Sequence, residues 1–127
     1  MCIRDRVGIG DVMRAGGVGK VIASKHPGLA VGDHVSGGFG IQEFAALDGA
    51  QLTKINPKVA PLPTFLNTLG MPGMTAYFGL LDVGLPEAGD TVVVSGAAGA
   101  VGATVGQIAK IKGCRAVGIA GGAAKCR

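Results

Sequence analysis

Residues 91 to 113 read TVVVSGAAGAVGATVGQIAKIKG, a β-branched run that passes straight into a glycine-rich turn and then into a helical period. Thr91 to Ser95 is predicted to be a buried strand: it holds three consecutive valines and follows a Gly89-Asp90 turn. The spacing predicts a helix from near Val101 to near Lys112. Its apolar face would carry Val101, Val105 and Ile108, with the Lys112 stem along the edge and Gly113 as C-terminal cap. Gly96, Gly99 and Gly102 then fall in the turn and the first helical turn. Missing Cβ atoms there let backbone N–H groups approach an anion, which the helix dipole also favours.

The best register for a dinucleotide-binding fingerprint is Ala97-x-Gly99-x-x-Gly102, with alanine in the place of the first glycine. A tightly packed strand-to-helix turn without ligand is the other reading of the same string. The strand before it and the helix after it favour the phosphate cradle. About 20 residues beyond the glycines, an NAD-binding fold carries an acidic residue for the ribose 2′-OH. Here the second strand is Arg115 to Ala120, followed by Gly121-Gly122-Ala123-Ala124-Lys125-Cys126-Arg127, and no carboxylate stands there. From Thr91 onward there are five basic residues (Lys110, Lys112, Arg115, Lys125, Arg127) and no acid. A 2′-phosphate would meet cations without repulsion, so the pattern favours NADP over NAD. A solvated helix start is the alternative role for Lys125 and, more strongly, for Arg127.

The 127 residues carry 24 glycines, 48% hydrophobic and only 16% charged residues, a composition that argues against disorder. The net charge of +4 is scattered and includes no basic block, and with one Tyr and no Trp no stacking platform for single-stranded nucleic acid is built. Cys2, Cys114 and Cys126 are odd in number and lack C-x-x-C spacing. They therefore predict neither a disulfide framework nor a zinc site, and they fit a reduced, cytoplasmic setting. His26 and His34 lie in turns without partner ligands, so no metal is expected. The opening MCIRDR lacks an apolar signal region and no segment is long enough to span a bilayer, so no membrane partner is expected.

From Gly16 to Ile55, candidate strands at Val18 to Ser24, His34 to Gly37, Ile41 to Leu47 and Gln51 to Ile55 alternate with turn signals. Pro57 to Pro63 is a connector, and Thr64 to Gly70 and Pro72 to Val83 read as helices. The expected organisation is residues 1–10 as a non-family or disordered start, 11–63 as a β-rich domain, and 64–127 as linking helices and a first βαβ. A ligand is expected in the crevice between the two parts.

The strings GMPGMTAYFGLL from Gly70, SGAAGAVG from Ser95, GQIAKIKGC from Gly106 and GIAGGAAKC from Gly118 resemble the medium-chain dehydrogenase/reductase superfamily. Within it they resemble the zinc-free, NADP-dependent alkenal/one reductases, the family of the leukotriene hydroxydehydrogenases, prostaglandin reductases and curcumin reductases. The resemblance spans residues 12 to 127 and is looser in the first half, where PGLAVGDHV and GGFGIQEFAAL are similar to a GroES-like domain. It implies an α/β fold: a partial GroES-like β-rich segment, then the first βαβ of a Rossmann-type domain. The implied function is reduction of the C=C bond of α,β-unsaturated ketones and aldehydes by hydride from NADPH. Also implied are Gly99, Ala100, Val101 and Gly102 against the pyrophosphate, Lys125 on the 2′-phosphate, Gly121 giving room to the adenosine ribose, and Thr75 near the nicotinamide.

Thr75 rests on the resemblance alone; N-capping or a helix-internal role is the alternative. No catalytic side chain is assigned, and Tyr77, the tempting donor, is expected in the core. An NADPH-dependent quinone reductase of the same superfamily and a non-catalytic NADPH-binding module are the competing functions. MCIRDR matches nothing in the family pattern, and two strands are too few for a doubly wound fold. The chain is therefore expected to be an internal part of a longer, homodimeric reductase, inactive in isolation.

Overall fold

The computed structural model describes residues 7–126. The expectations for MCIRDR, Cys2 and Arg127 fall outside these residues. The chain divides into two compact units, with the boundary between Leu66 and Asn67.

The first unit is an antiparallel three-stranded sheet of β1 (Gly17–Lys20), β2 (His34–Gly37) and β3 (Thr53–Ile55), in that order. Gly17 pairs with Gly37 and His34 with Ile55, a register that sets the buried Val35 and the buried Ile55 on opposite faces of the sheet. β2 stands where the alternation predicts. β1 ends at Lys20, with pairing carried one step further by bonds of Val21 N–H to Asp33 O and Gly32 N–H to Val21 O. The chain then bends as the Ser24 hydroxyl accepts from His26 N–H at 3.1 Å. The strand expected at Ile41 to Leu47 is absent. Gly40, in the left-handed region at φ +71°, turns the chain so that Gly40 and Ile41 donate to Ala15 and Met13, and Phe44 is left exposed. Gln51 to Ile55 is shortened to β3 because Asp48 caps a turn of 3₁₀ helix over Gly49–Gln51, accepting from Ala50 N–H at 3.0 Å.

Instead of a helix over Thr64 to Gly70 there is a 3₁₀ segment at Leu62–Leu66, in which Pro63 has no N–H to give. The second unit begins with α1 (Met71–Phe78), with Pro72 in its first turn. The helix expected to run to Val83 widens instead into a π-helical segment over Gly79–Gly84, closed by Leu85 in the left-handed region at φ +46°. Next come β4 (Thr91–Ser95), α2 (Ala100–Ile111) and β5 (Arg115–Ile119). β4 and β5 are parallel neighbours in register from Thr91↔Arg115 to Ser95↔Ile119.

Leu80, Ala109 and Cys114 form the core of this unit, with Leu81, Val92, Val105, Ile108 and Ala116 packed on it. The Cys114 thiol donates to the Glu87 carbonyl at 3.2 Å, so the sulfur is a satisfied core group. Two expectations are corrected here. In α2 the buried residues are Gly102, Thr104 and Ala109, and Val105 and Ile108 pack on the core as the period predicts, but Val101 in the first helical turn is exposed. The valine run of β4 is covered on one face only, so Val94 is buried while Val93 is 61% exposed. Among the described residues no helix is long and apolar enough to cross a membrane.

Candidate cofactor-binding site

A parallel βαβ unit presents the turns that leave its strands at one sheet edge, the carboxyl edge, where open α/β sheets take their ligands. β4 feeds Gly96 to Gly99 and β5 feeds Ala120 to Gly122, so the two segments chosen by spacing emerge side by side. They are joined there: Ala97 N–H donates to Ile119 O at 3.0 Å, adding a bond just past the Ser95↔Ile119 pair.

Gly96 sits in the left-handed region at φ +60°, a conformation that costs other residues about 1 kcal/mol. Its carbonyl accepts from Gly99 N–H at 2.8 Å, closing the turn. Gly99 is the N-cap of α2, extended at φ −84° and ψ 169°, and has no side chain to accept from the helix start. Asp, Asn, Ser or Thr at an N-cap would bond the second or third helical N–H. Ala100, Val101 and Gly102 N–H therefore have no protein acceptor among the described residues. The three donors and the positive helix end suit an anion such as pyrophosphate.

Gly102 has a packing role as well, the one its third place in the fingerprint implies. A Cβ on it would stand 2.5 Å from Gly96 O and 2.9 Å from Ala97 Cα, so its bare Cα is where helix and turn press together. Gly118, in β5, was not singled out by spacing. A Cβ there would stand 2.8 Å from Ala97 Cβ, and the available signal was a lone glycine inside a strand, which marks close approach.

Beyond β5, a Cβ on Gly121 would meet nothing within 4 Å, so there is open space at that position. Gly122 at φ +86° starts a 3₁₀ turn over Ala123–Lys125. Lys125 is exposed, and its N–H donates to Gly122 O at 3.1 Å. The nearby Cys126 thiol donates weakly to Ala120 O at 3.6 Å. From Thr91 to the end no carboxylate is present to repel a phosphate.

Thr75 lies inside α1 rather than at its cap, exposed, with its hydroxyl donating to Met71 O at 2.9 Å and its lone pairs free to accept. Among the described residues no hydrogen bond ties its side chain to the glycine turn. Tyr77 is 49% exposed rather than in the core, because the buried stripe of α1 runs through Gly73 and Ala76; its ring meets Phe78 edge-on at 5.3 Å. Among the described residues no three His, Cys, Asp or Glu side chains are grouped to hold a metal ion.

The family model described as the N-terminal domain of oxidoreductase matches residues 3–55, starting inside MCIRDR. The NADPH-dependent curcumin reductase of Escherichia coli (strain K12) is 52% identical over 121 residues, 95% of this chain and 35% of that protein. Prostaglandin reductase 1 of Oryctolagus cuniculus is 52% identical over 115 residues, 88% of this chain and 33% of that protein. The crystal structure of CurA in complex with NADPH from Vibrio vulnificus superposes with a TM-score of 0.85. It is 49% identical and covers 94% of this chain and 36% of that one.

The chain belongs to the alkenal/one reductase family of the medium-chain dehydrogenases/reductases. It spans about a third of the length of the relatives it matches. The family accounts for both units: a GroES-like β segment matched by the oxidoreductase N-terminal model, and a Rossmann-type βαβ with its glycine turn at the carboxyl edge.

Proposed function

We propose that the whole protein is an NADPH-dependent reductase of the C=C bond of α,β-unsaturated ketones and aldehydes, and that this chain carries the first part of its cofactor site. The observation that carries the reading is the uncapped start of α2: Gly99 leaves the Ala100, Val101 and Gly102 N–H groups without acceptors, at the carboxyl edge of a parallel pair with no acid after it. The named activities of the curcumin and prostaglandin reductases agree with it.

The residues present fit a 2′-phosphorylated dinucleotide. Bound NADPH supplies hydride. The N–H groups of Ala100, Val101 and Gly102 would hold the pyrophosphate, with Gly99 giving it room. Lys125 would pair with the 2′-phosphate, Gly121 would leave space for the adenosine ribose, and Thr75, by the family resemblance, would serve the nicotinamide end. Alkene reduction places hydride on the β-carbon and a proton on the α-carbon, giving the saturated carbonyl. The protein's part is to align the alkene and stabilise the developing enolate, and no side chain of this chain is assigned that role. The whole protein acts as a cytoplasmic homodimer, a setting with which the unpaired Cys114 and Cys126 agree.

NADPH oxidation by the whole protein, followed at 340 nm with 3-nonen-2-one and with a simple quinone as separate acceptors, tests the reading. Turnover with the enone is expected to be the faster. Binding of NADPH without turnover of either acceptor would make the protein a cofactor-binding module, and preference for the quinone would make it a quinone reductase.

A further inference from the structure

We infer that Gly118, a strand residue outside the glycine fingerprint, is a positioning residue for the cofactor turn, acting as one half of a steric pair with Ala97 in the fingerprint's first place. The inference rests on the proposed NADPH site. Ala97 is the one partly buried residue between Ser95 and Val101. It is held from two sides by missing side chains. On the helix side, a Cβ on Gly102 would stand 2.9 Å from Ala97 Cα; on the strand side, a Cβ on Gly118 would stand 2.8 Å from Ala97 Cβ.

Both members of the second contact are Cβ atoms, fixed to their backbones with no torsion that could turn them away. Relief to an ordinary 3.4 Å contact would require Ala97 to retreat by about 0.6 Å. That retreat works against the 3.0 Å bond from Ala97 N–H to Ile119 O, the residue next to Gly118. It also carries Gly96 to Gly99, and with them the start of α2, away from the place set by the sheet. Binding geometry tolerates about 0.5 Å before affinity falls. Alanine in the fingerprint's first place is thus matched by glycine at 118, and glycine at 97 would release position 118 to carry a methyl group.

The test uses the whole protein as wild type, Gly118→Ala, Ala97→Gly and the double variant, with NADPH binding by fluorescence titration, thermal unfolding, and steady-state KM and kcat. Gly118→Ala is expected to raise the NADPH Kd and KM about tenfold, within the 1–3 kcal/mol range of overpacking, with kcat at saturating NADPH changed by less than roughly twofold. The double variant is expected to regain the affinity of Ala97→Gly to within about twofold. Unchanged NADPH binding in Gly118→Ala, or a double variant as weak as Gly118→Ala, overturns the pair. Should Gly118→Ala fail to fold, the double variant decides: folding with restored binding supports the pair, and misfolding or weak binding overturns it. Wild type that does not bind NADPH refutes the cofactor site itself and the positioning role with it. Wild type that binds alongside an unaffected Gly118→Ala refutes the positioning role alone.

Discussion

Gly102→Ala and Gly106→Ala place the same methyl group on the same helix four residues apart, and the structure gives them opposite signs. At Gly106 a new Cβ meets nothing within 4 Å, so only the helix-propensity gain of about 0.8–1 kcal/mol remains. At Gly102 the Cβ would stand 2.5 Å from Gly96 O, 2.9 Å from Ala97 Cα and 3.0 Å from Gly96 C. All three atoms are backbone, so none can swing aside. Overpacking of this kind costs about 1–3 kcal/mol, and three rigid contacts put Gly102 at the upper end. Less the propensity gain, the net loss is about 2 kcal/mol, which separates the two variants by about 3 kcal/mol. The assay is urea unfolding of the whole protein with each substitution, followed by circular dichroism, and the midpoints are expected to move in opposite directions from wild type. A Gly102→Ala protein that unfolds at or above the midpoint of Gly106→Ala would refute the close contact between α2 and the glycine turn.

Gly99→Asp supplies the missing N-cap acceptor to the start of α2 and puts a negative charge where pyrophosphate would lie. Stability should change by less than about 1 kcal/mol while NADPH affinity falls more than about tenfold, read by thermal unfolding and titration together. Lys125→Ala removes the cation of the acid-free segment, so KM for NADPH should rise about tenfold while KM for NADH stays unchanged; an equal change for both would exclude a 2′-phosphate contact. In the first unit, the 2.7 Å bond from Lys54 Nζ, and then Ala30 N–H at 2.9 Å, hold the Asp33 carboxyl below its ordinary value. Because its folded value is the lower one, the stabilisation from Asp33 is in place above the unfolded carboxylate range and is lost as pH falls through the folded value. Lys54→Met should raise the Asp33 titration midpoint measured by NMR, and an unmoved midpoint would contradict the ion pair.

Much of the second unit was legible because its signals are local. The valine run and the Arg115 start fix β4 and β5 at residues 91 and 115 as read, and Gly113 at φ +80° ends α2 as its C-terminal glycine predicts. The first unit was less legible, since the run from Ile41 to Leu47, bounded by turn signals, is exposed throughout and has no strand partner. Pairing is a non-local choice, and there the backbone bonds to Met13 and Ala15 won. Periodicity placed Val105 and Ile108 on the packed face of α2 and misjudged Val101 alone, which stands exposed in the first helical turn.

The sequence by itself determined that a glycine turn links a β-branched strand to a helix, and that no carboxylate follows it, because both are facts of residue type and spacing. Only the tertiary structure decided which glycine does what. Gly99 leaves three N–H groups without acceptors, whereas Gly102 and Gly118 clear space on either side of Ala97. That division depends on distances across the turn between residues 97 and 118, which lie 21 positions apart in the chain and meet only when β5 pairs with β4.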